Sequence, residues 1–138
     1  MTTSVAQEID GLVHRYIERF NAGDFDGASE CYRLPFTWLF GSNAVTVSTP
    51  EEFLAMMETT KAALVKKGLS HSELLETTVH QLDEHIALVG TKVVRVRTDG
   101  TRGGVLAGTY LVHNDDSGWR FVTQFSHPID AIMPEKTP

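Results

Sequence analysis

The chain holds a single cysteine, Cys31, no basic cluster beyond Lys66–Lys67, and no long apolar run. Each absence removes a class of protein. One cysteine cannot form an intrachain disulfide, so the fold is not a disulfide scaffold, and the composition fits a reducing cytoplasm. A membrane helix needs about 20 consecutive apolar residues, and no window supplies them. A phosphate-binding surface needs a basic stripe. Here 12 Lys and Arg face 18 Asp and Glu, for a formal net charge of −6, so nucleic acid is not an expected partner. The start, "MTTSVAQEID", is acidic early and lacks a basic region followed by an apolar one, so it does not read as a secretory leader. The expected location is cytoplasmic. No repeat or low-complexity segment interrupts the chain.

What is present suits one globular domain. The 138 residues are 41% hydrophobic and 22% charged, enough to bury a core without metal or disulfide. The domain is expected to span residues 1–133. Residues 134–138, prolines and charges without apolar period, read as a flexible tail.

Val5, Ile9, Leu12, Val13, Tyr16, Ile17 and Phe20 recur at helical spacing and predict an amphipathic helix. Asn21-Ala22-Gly23 stops it, with Gly23 suited to the left-handed position after a helix. Asp24 can cap a short second helix running through Cys31 or Tyr32, and Pro35 then starts an extended segment. "FTWLFGSNAVTVS" reads as two strands about Gly41-Ser42-Asn43. "TPEEFLAMMETTKAALVKKG" carries the full punctuation of a third helix. Thr49 is the N-cap, Pro50 the first helical residue, Glu52 the partner of a capping box, Lys66 and Lys67 the basic last turn, and Gly68 the stop. Four strands follow, near 72–82, 85–97, 104–113 and 119–127, joined by Asp83-Glu84, Asp99-Gly100 and Asn114–Gly118. The glycines at 100, 103, 104 and 108 lack the setting of a phosphate loop and read as a hairpin with a bend or bulge. Helices first and an antiparallel meander second make the fold class α+β: three N-terminal helices packed on a strongly curved, mainly antiparallel sheet. Such a sheet leaves a cavity between itself and the helices.

This order of elements resembles the nuclear transport factor 2-like superfamily, including its SnoaL-like and ketosteroid isomerase-like members. At residue level the resemblance lies in "RYIERFNAGDFDGASECY", within Leu12–Tyr32. It implies a cone-shaped, cystatin-like α+β barrel with a pocket at the open end, and members that often dimerise through the sheet, so a homodimer is expected. The isomerase resemblance implies that Tyr16 is an oxyanion donor. The second oxyanion acid of that family aligns with Thr109 or Tyr110, neither a carboxylic acid. Its carboxylate base aligns with Phe40, and no Asp or Glu stands between Pro35 and Pro50. Proton abstraction needs a group of suitable pKa in reach, so that mechanism is not expected here.

The candidate site follows. Tyr16 is either a core tyrosine or a pocket donor. Phe36, Trp38 and Phe40 share one strand face and line either a pocket or the core. A buried Trp38 would need a partner for its indole N–H. In the last strand Trp119, Phe121, Thr123, Phe125 and His127 share the more apolar face, expected to meet the helices. His127 is then at the cavity mouth as the best candidate acid or base. Tyr110 and Thr123 complete the expected ligand contacts. Arg95 and Arg97 could clamp an anion in the pocket, but the opposite face offers Val94 and Val96 for burial, so the outer surface is favoured and the pocket stays open as the alternative. His71, His80, His85 and His113 show no metal spacing, no cofactor is expected, and Cys31 lacks an activating neighbour. The reading is a binder of a small apolar or aromatic molecule. The alternatives are a lyase, isomerase or cyclase using Tyr16 and His127 as acid and base, or an assembly domain acting through its sheet.

Overall fold

A computed structural model describes residues 4–131. The expected tail, 134–138, lies outside that range. The chain folds as α1 (Val5–Asn21), α2 (Phe25–Ser29), β1 (Tyr32–Phe40), β2 (Asn43–Val47), α3 (Pro50–Lys66), β3 (Leu69–Gln81), β4 (Ile86–Arg97), β5 (Arg102–Asn114), β6 (Trp119–His127) and a closing 3-10 turn, Ile129–Ala131. This is the expected α+β order, with three helices and six strands. No helix among the described residues is long and apolar enough to cross a membrane.

Local chemistry accounts for each helix end. Ser4 caps α1: its hydroxyl accepts from the Gln7 amide, and Gln7 returns a bond to the Ser4 amide. At α2 the Asp24 carboxylate accepts from the Gly27 amide at 2.9 Å. A side chain at Gly27 would put its Cβ 2.2 Å from Asp24 Oδ2, so this cap needs a glycine three residues on. Thr49 caps α3 as expected, but Glu52 reaches the amide of Ser48 rather than that of Thr49. The left-handed stops fall where expected, at Gly23 (φ 73°) and Gly68 (φ 78°). The second helix is shorter than expected. It ends at Ser29 because sheet pairing has begun by Cys31, whose carbonyl accepts from the Phe121 amide at 2.9 Å.

The sheet runs β2-β1-β6-β5-β4-β3. β1 and β6 are parallel and every other pair is antiparallel. It stays open, with β2 and β3 as edges. Register shifts interrupt β3–β4 at Leu74/Glu76, β4–β5 at Val94/Val96 and β5–β6 at Leu111/Val112. Such bulges bend and twist a sheet, and here they curl it around the helices. Side chains clip α1 in place. The Asn21 amide mimics a neighbouring strand, accepting from the Ser72 amide at 2.9 Å and donating to the Ser72 carbonyl at 2.8 Å. Asp10 accepts from the Thr77 hydroxyl at 2.7 Å, and Arg19 holds α2 through the Gly27 carbonyl at 2.8 Å. The expected stripe of α1 meets Phe36, Phe53, Val112 and Phe121 in the core. These residues close one end of the space between helices and sheet. The other end stays open.

Candidate functional site

The open end is a cavity of about 740 Å³, within the range of small-molecule sites. Its floor is built from the three tyrosines of the chain, Tyr16, Tyr32 and Tyr110. Tyr16 comes from α1 and packs edge-on against Tyr32 (5.4 Å) and Tyr110 (6.5 Å), while Phe121 backs Tyr110 at 4.3 Å. Burial pushes all three phenols above their ordinary pKa, so they are neutral donors at physiological pH. Met56, Met57 and Leu64 of α3 form one wall. Phe36 and Trp38 of β1 form another, and Val105 and Leu106 stand at the mouth.

Of the residues expected in the site, Tyr16, Phe36, Trp38, Tyr110 and His127 line this cavity. Trp38 has its partner: the indole N–H donates to Ser126 Oγ at 3.0 Å. Phe40 is not among the lining residues; its ring stacks beyond Trp38, 4.5 Å away. Thr123 is also outside the lining. The cause is the bulge in β6: Phe121 pairs with Val112 and Thr123 with Leu111, so Val122 is an extra residue. One extra residue reverses the alternation. Trp119 and Phe121 face inward, but beyond Val122 it is Gln124 and Ser126 that reach the cavity. The expected single face from Trp119 to His127 is therefore broken in the middle.

His127 sits at the rim with both ring nitrogens engaged. Nε2 lies 2.7 Å from Thr109 Oγ1, and Nδ1 lies 2.8 Å from the Pro128 carbonyl. A carbonyl only accepts, so Nδ1 donates to it, and Nε2 is engaged by the threonine hydroxyl. Gly108 and Tyr110 line the cavity, so strand alternation turns Thr109 to the other face, and the His127 ring follows it.

Arg95 requires the larger correction. It lies opposite a bulge in β5, between Val94 (paired with Val105) and Val96 (paired with Arg102), and it lines the cavity with Thr91 and Val93. Val94 and Val96 are indeed buried, but on the opposite face, so burial on one side did not exclude a pocket on the other. Arg97 is exposed and donates to Thr101 Oγ1. Arg95 Nε is buried without a hydrogen-bond partner among the described residues. The guanidinium is close enough to Tyr16 and Tyr110 to oppose part of the effect of burial on both phenols. Sequence offered one usable sign: Thr91, Val93 and Arg95 alternate on one face.

The chain matches the family described as NTF2-like protein (DUF6841) over residues 7–129. The chain belongs to this NTF2-like family. Solved structures agree in fold. An NTF2-like protein with a cystatin-like fold from Novosphingobium aromaticivorans superposes with a TM-score of 0.72 at 24% identity, covering 92% of this chain and 83% of that one. An NTF-2 like protein of unknown function from Shewanella oneidensis MR-1 gives 0.70 at 16% identity, covering 89% and 98%. A domain of unknown function with a cystatin-like fold from Nostoc punctiforme PCC 73102 gives 0.68 at 17% identity, covering 93% and 82%. No curated protein matches the chain.

In this NTF2-like domain no aspartate or glutamate among the described residues lines the cavity, and the position aligned with the isomerase base is Phe40. Among the described residues, no group of three His, Cys, Asp or Glu is placed to hold a metal ion. Cys31 is buried behind the cavity floor, where burial raises its thiol pKa despite the neighbouring Arg19. The chamber therefore offers aromatic surface, phenol donors and one cation, and no carboxylate.

Proposed function

We propose that this domain binds a small molecule with an apolar or aromatic body inside its cone-like cavity, without isomerase-type proton abstraction. The observation that carries this reading is the 740 Å³ chamber between α1, α3 and the sheet, left unfilled although aromatics surround it. A protein interior is ordinarily packed to near-crystalline density, so a space of this size needs an occupant or water. Tyr16, Tyr110 and Gln124 supply the few polar contacts that orient a ligand in an apolar site. The absence of a lining carboxylate and the engaged His127 favour binding over acid–base catalysis.

A thermal-shift panel of aromatic polyketide-like compounds, sterols and fatty acids tests the proposal. A ligand at a hundred times its Kd stabilises by about 2.7 kcal/mol, a shift of several degrees for a domain of this size. Trp38 lines the chamber whereas Trp119 belongs to the core. Binding should therefore change the tryptophan emission of the wild type and leave that of Trp38→Phe nearly unchanged. A panel with neither a melting shift nor an emission change would overturn the reading.

A further inference from the structure

We infer that the ligand of this cavity carries a carboxylate, and that Arg95 receives it. This rests on the binding reading above and deepens it. Guanidinium is charged at every physiological pH and cannot shed its proton to suit an apolar site. A charge drawn into a low-dielectric space is ordinarily paired. Arg95 is not: its Nε is buried and unpartnered, and no ion pair among the described residues includes it. The chain has an excess of acids, with 18 Asp and Glu against 12 Lys and Arg. Even so, none of the described acids lines the chamber. The counter-charge is thus missing from the walls and must arrive with the occupant.

The charge count selects the class of anion. Arg95 is the one Lys or Arg in the lining, and both His127 nitrogens are already bonded. One guanidinium balances one carboxylate, and its planar fork fits the two oxygens side by side. A phosphate dianion would ask for a second cation or a cradle of backbone amides, and the lining offers no second lysine or arginine. Tyr16 and Tyr110 lie near the same guanidinium, held neutral by burial and free to donate to a carboxylate oxygen. The aromatic walls then receive the rest of the molecule. The ligand class is an amphipathic monocarboxylic acid, with its head at Arg95 and its apolar body toward Met56, Trp38 and the mouth.

Matched probe pairs test this: biphenylcarboxylic acid, naphthoic acid and decanoic acid, each beside its primary amide. Titrations of wild type and Arg95→Gln at neutral pH would follow tryptophan emission and heat. The expected result is that at least one acid binds wild type tenfold or more tighter than its amide. Arg95→Gln should abolish that preference, bringing the acid's affinity down to that of its amide. Arg95→Lys, which keeps the charge but loses the fork, should retain part of it. If acid and amide bind wild type equally, or the preference survives in Arg95→Gln, the carboxylate inference is overturned while ligand binding stands. If neither acids nor amides bind, the binding reading falls and the inference falls with it. The comparison within wild type does not depend on the folding of any variant.

Discussion

Arg33 and Arg95 stand near opposite ends of β5, and they are treated in opposite ways. Arg33, on β1, meets Asp115 at 2.9 Å and also contacts His113, while Arg120 reaches the same loop through Ser117 at 2.7 Å. Arg95, on β4, meets no acid among the described residues and faces the chamber. The first arrangement is complete within the chain and ties the β5–β6 loop to β1. The second is complete only with a guest. A paired arginine reports on the fold, and an unpaired one in a cavity reports on what the fold is for.

Extremes of pH should separate the two ends most sharply. Burial raises the folded pKa of Tyr16, Tyr32 and Tyr110 above the unfolded value near 10. The unfolded chain then loses those protons first, so stability falls as pH rises past about 10 and the domain unfolds from the chamber floor. Tyrosinate absorbance and circular dichroism should change together; tyrosinate appearing in folded protein would contradict the burial of the floor. Asp115 acts at the other extreme. Its bonds to Ser117 and then Arg33 hold its folded pKa low. Its contribution is therefore present at neutral pH and is lost as pH falls below about 4. The carboxyl is exposed, so this loss should be slight.

Packing should divide the ends next. Phe121 is fully buried among the tyrosines, and Phe121→Ala is expected to cost about 3–5 kcal/mol in denaturant melts. Met56 borders the chamber and already lacks neighbours on one side, so Met56→Ala should cost under about 2 kcal/mol. Equal losses would mean that the chamber is as tightly filled as the core. Arg33→Ala removes a half-exposed ion pair and should cost at most about 1 kcal/mol. The smallest effect belongs to Arg95→Gln. Removing a half-buried charge that has no ion-pair partner among the described residues should leave the melting temperature unchanged or raise it. A clear destabilisation would show that Arg95 is satisfied within the chain after all.

Much of this was legible before any coordinates. Helical spacing in α1, the Thr49-Pro50-Glu52 start of α3 and the turn residues between strands are local signals, and each produced its element. Tyr16, Phe36 and Trp38 could be assigned to one helix stripe and one strand face from their spacing, which left cavity and core as alternatives. For Thr123 and Arg95 spacing was not enough. A bulge depends on how two distant strands pair, and nothing in "FVTQF" marks Val122 as the extra residue. At Arg95 the difficulty was different: the sheet is buried on both faces there, so alternation of polar and apolar residues no longer tells inside from outside. His127 lines the cavity, but the engagement of its ring depends on the Pro128 carbonyl and on Thr109, a neighbour brought in by β5.

The β6 bulge makes the chemistry of the mouth a matter of phase. Gln124 and Ser126 reach the chamber only because Val122 stands outside the ladder. If Val122 were instead drawn into the ladder opposite Leu111, every later residue of the strand would slip by one. Thr123 and Phe125 would turn inward, and Trp38 would lose the Ser126 hydroxyl that now accepts its N–H. Deleting Val122, by contrast, leaves Thr123 opposite Leu111 and the same residues facing inward, so it removes the bulge and keeps the polar rim. A slip of one residue would thus exchange a polar rim for a greasy one on the same scaffold, and the bulge is what holds the phase.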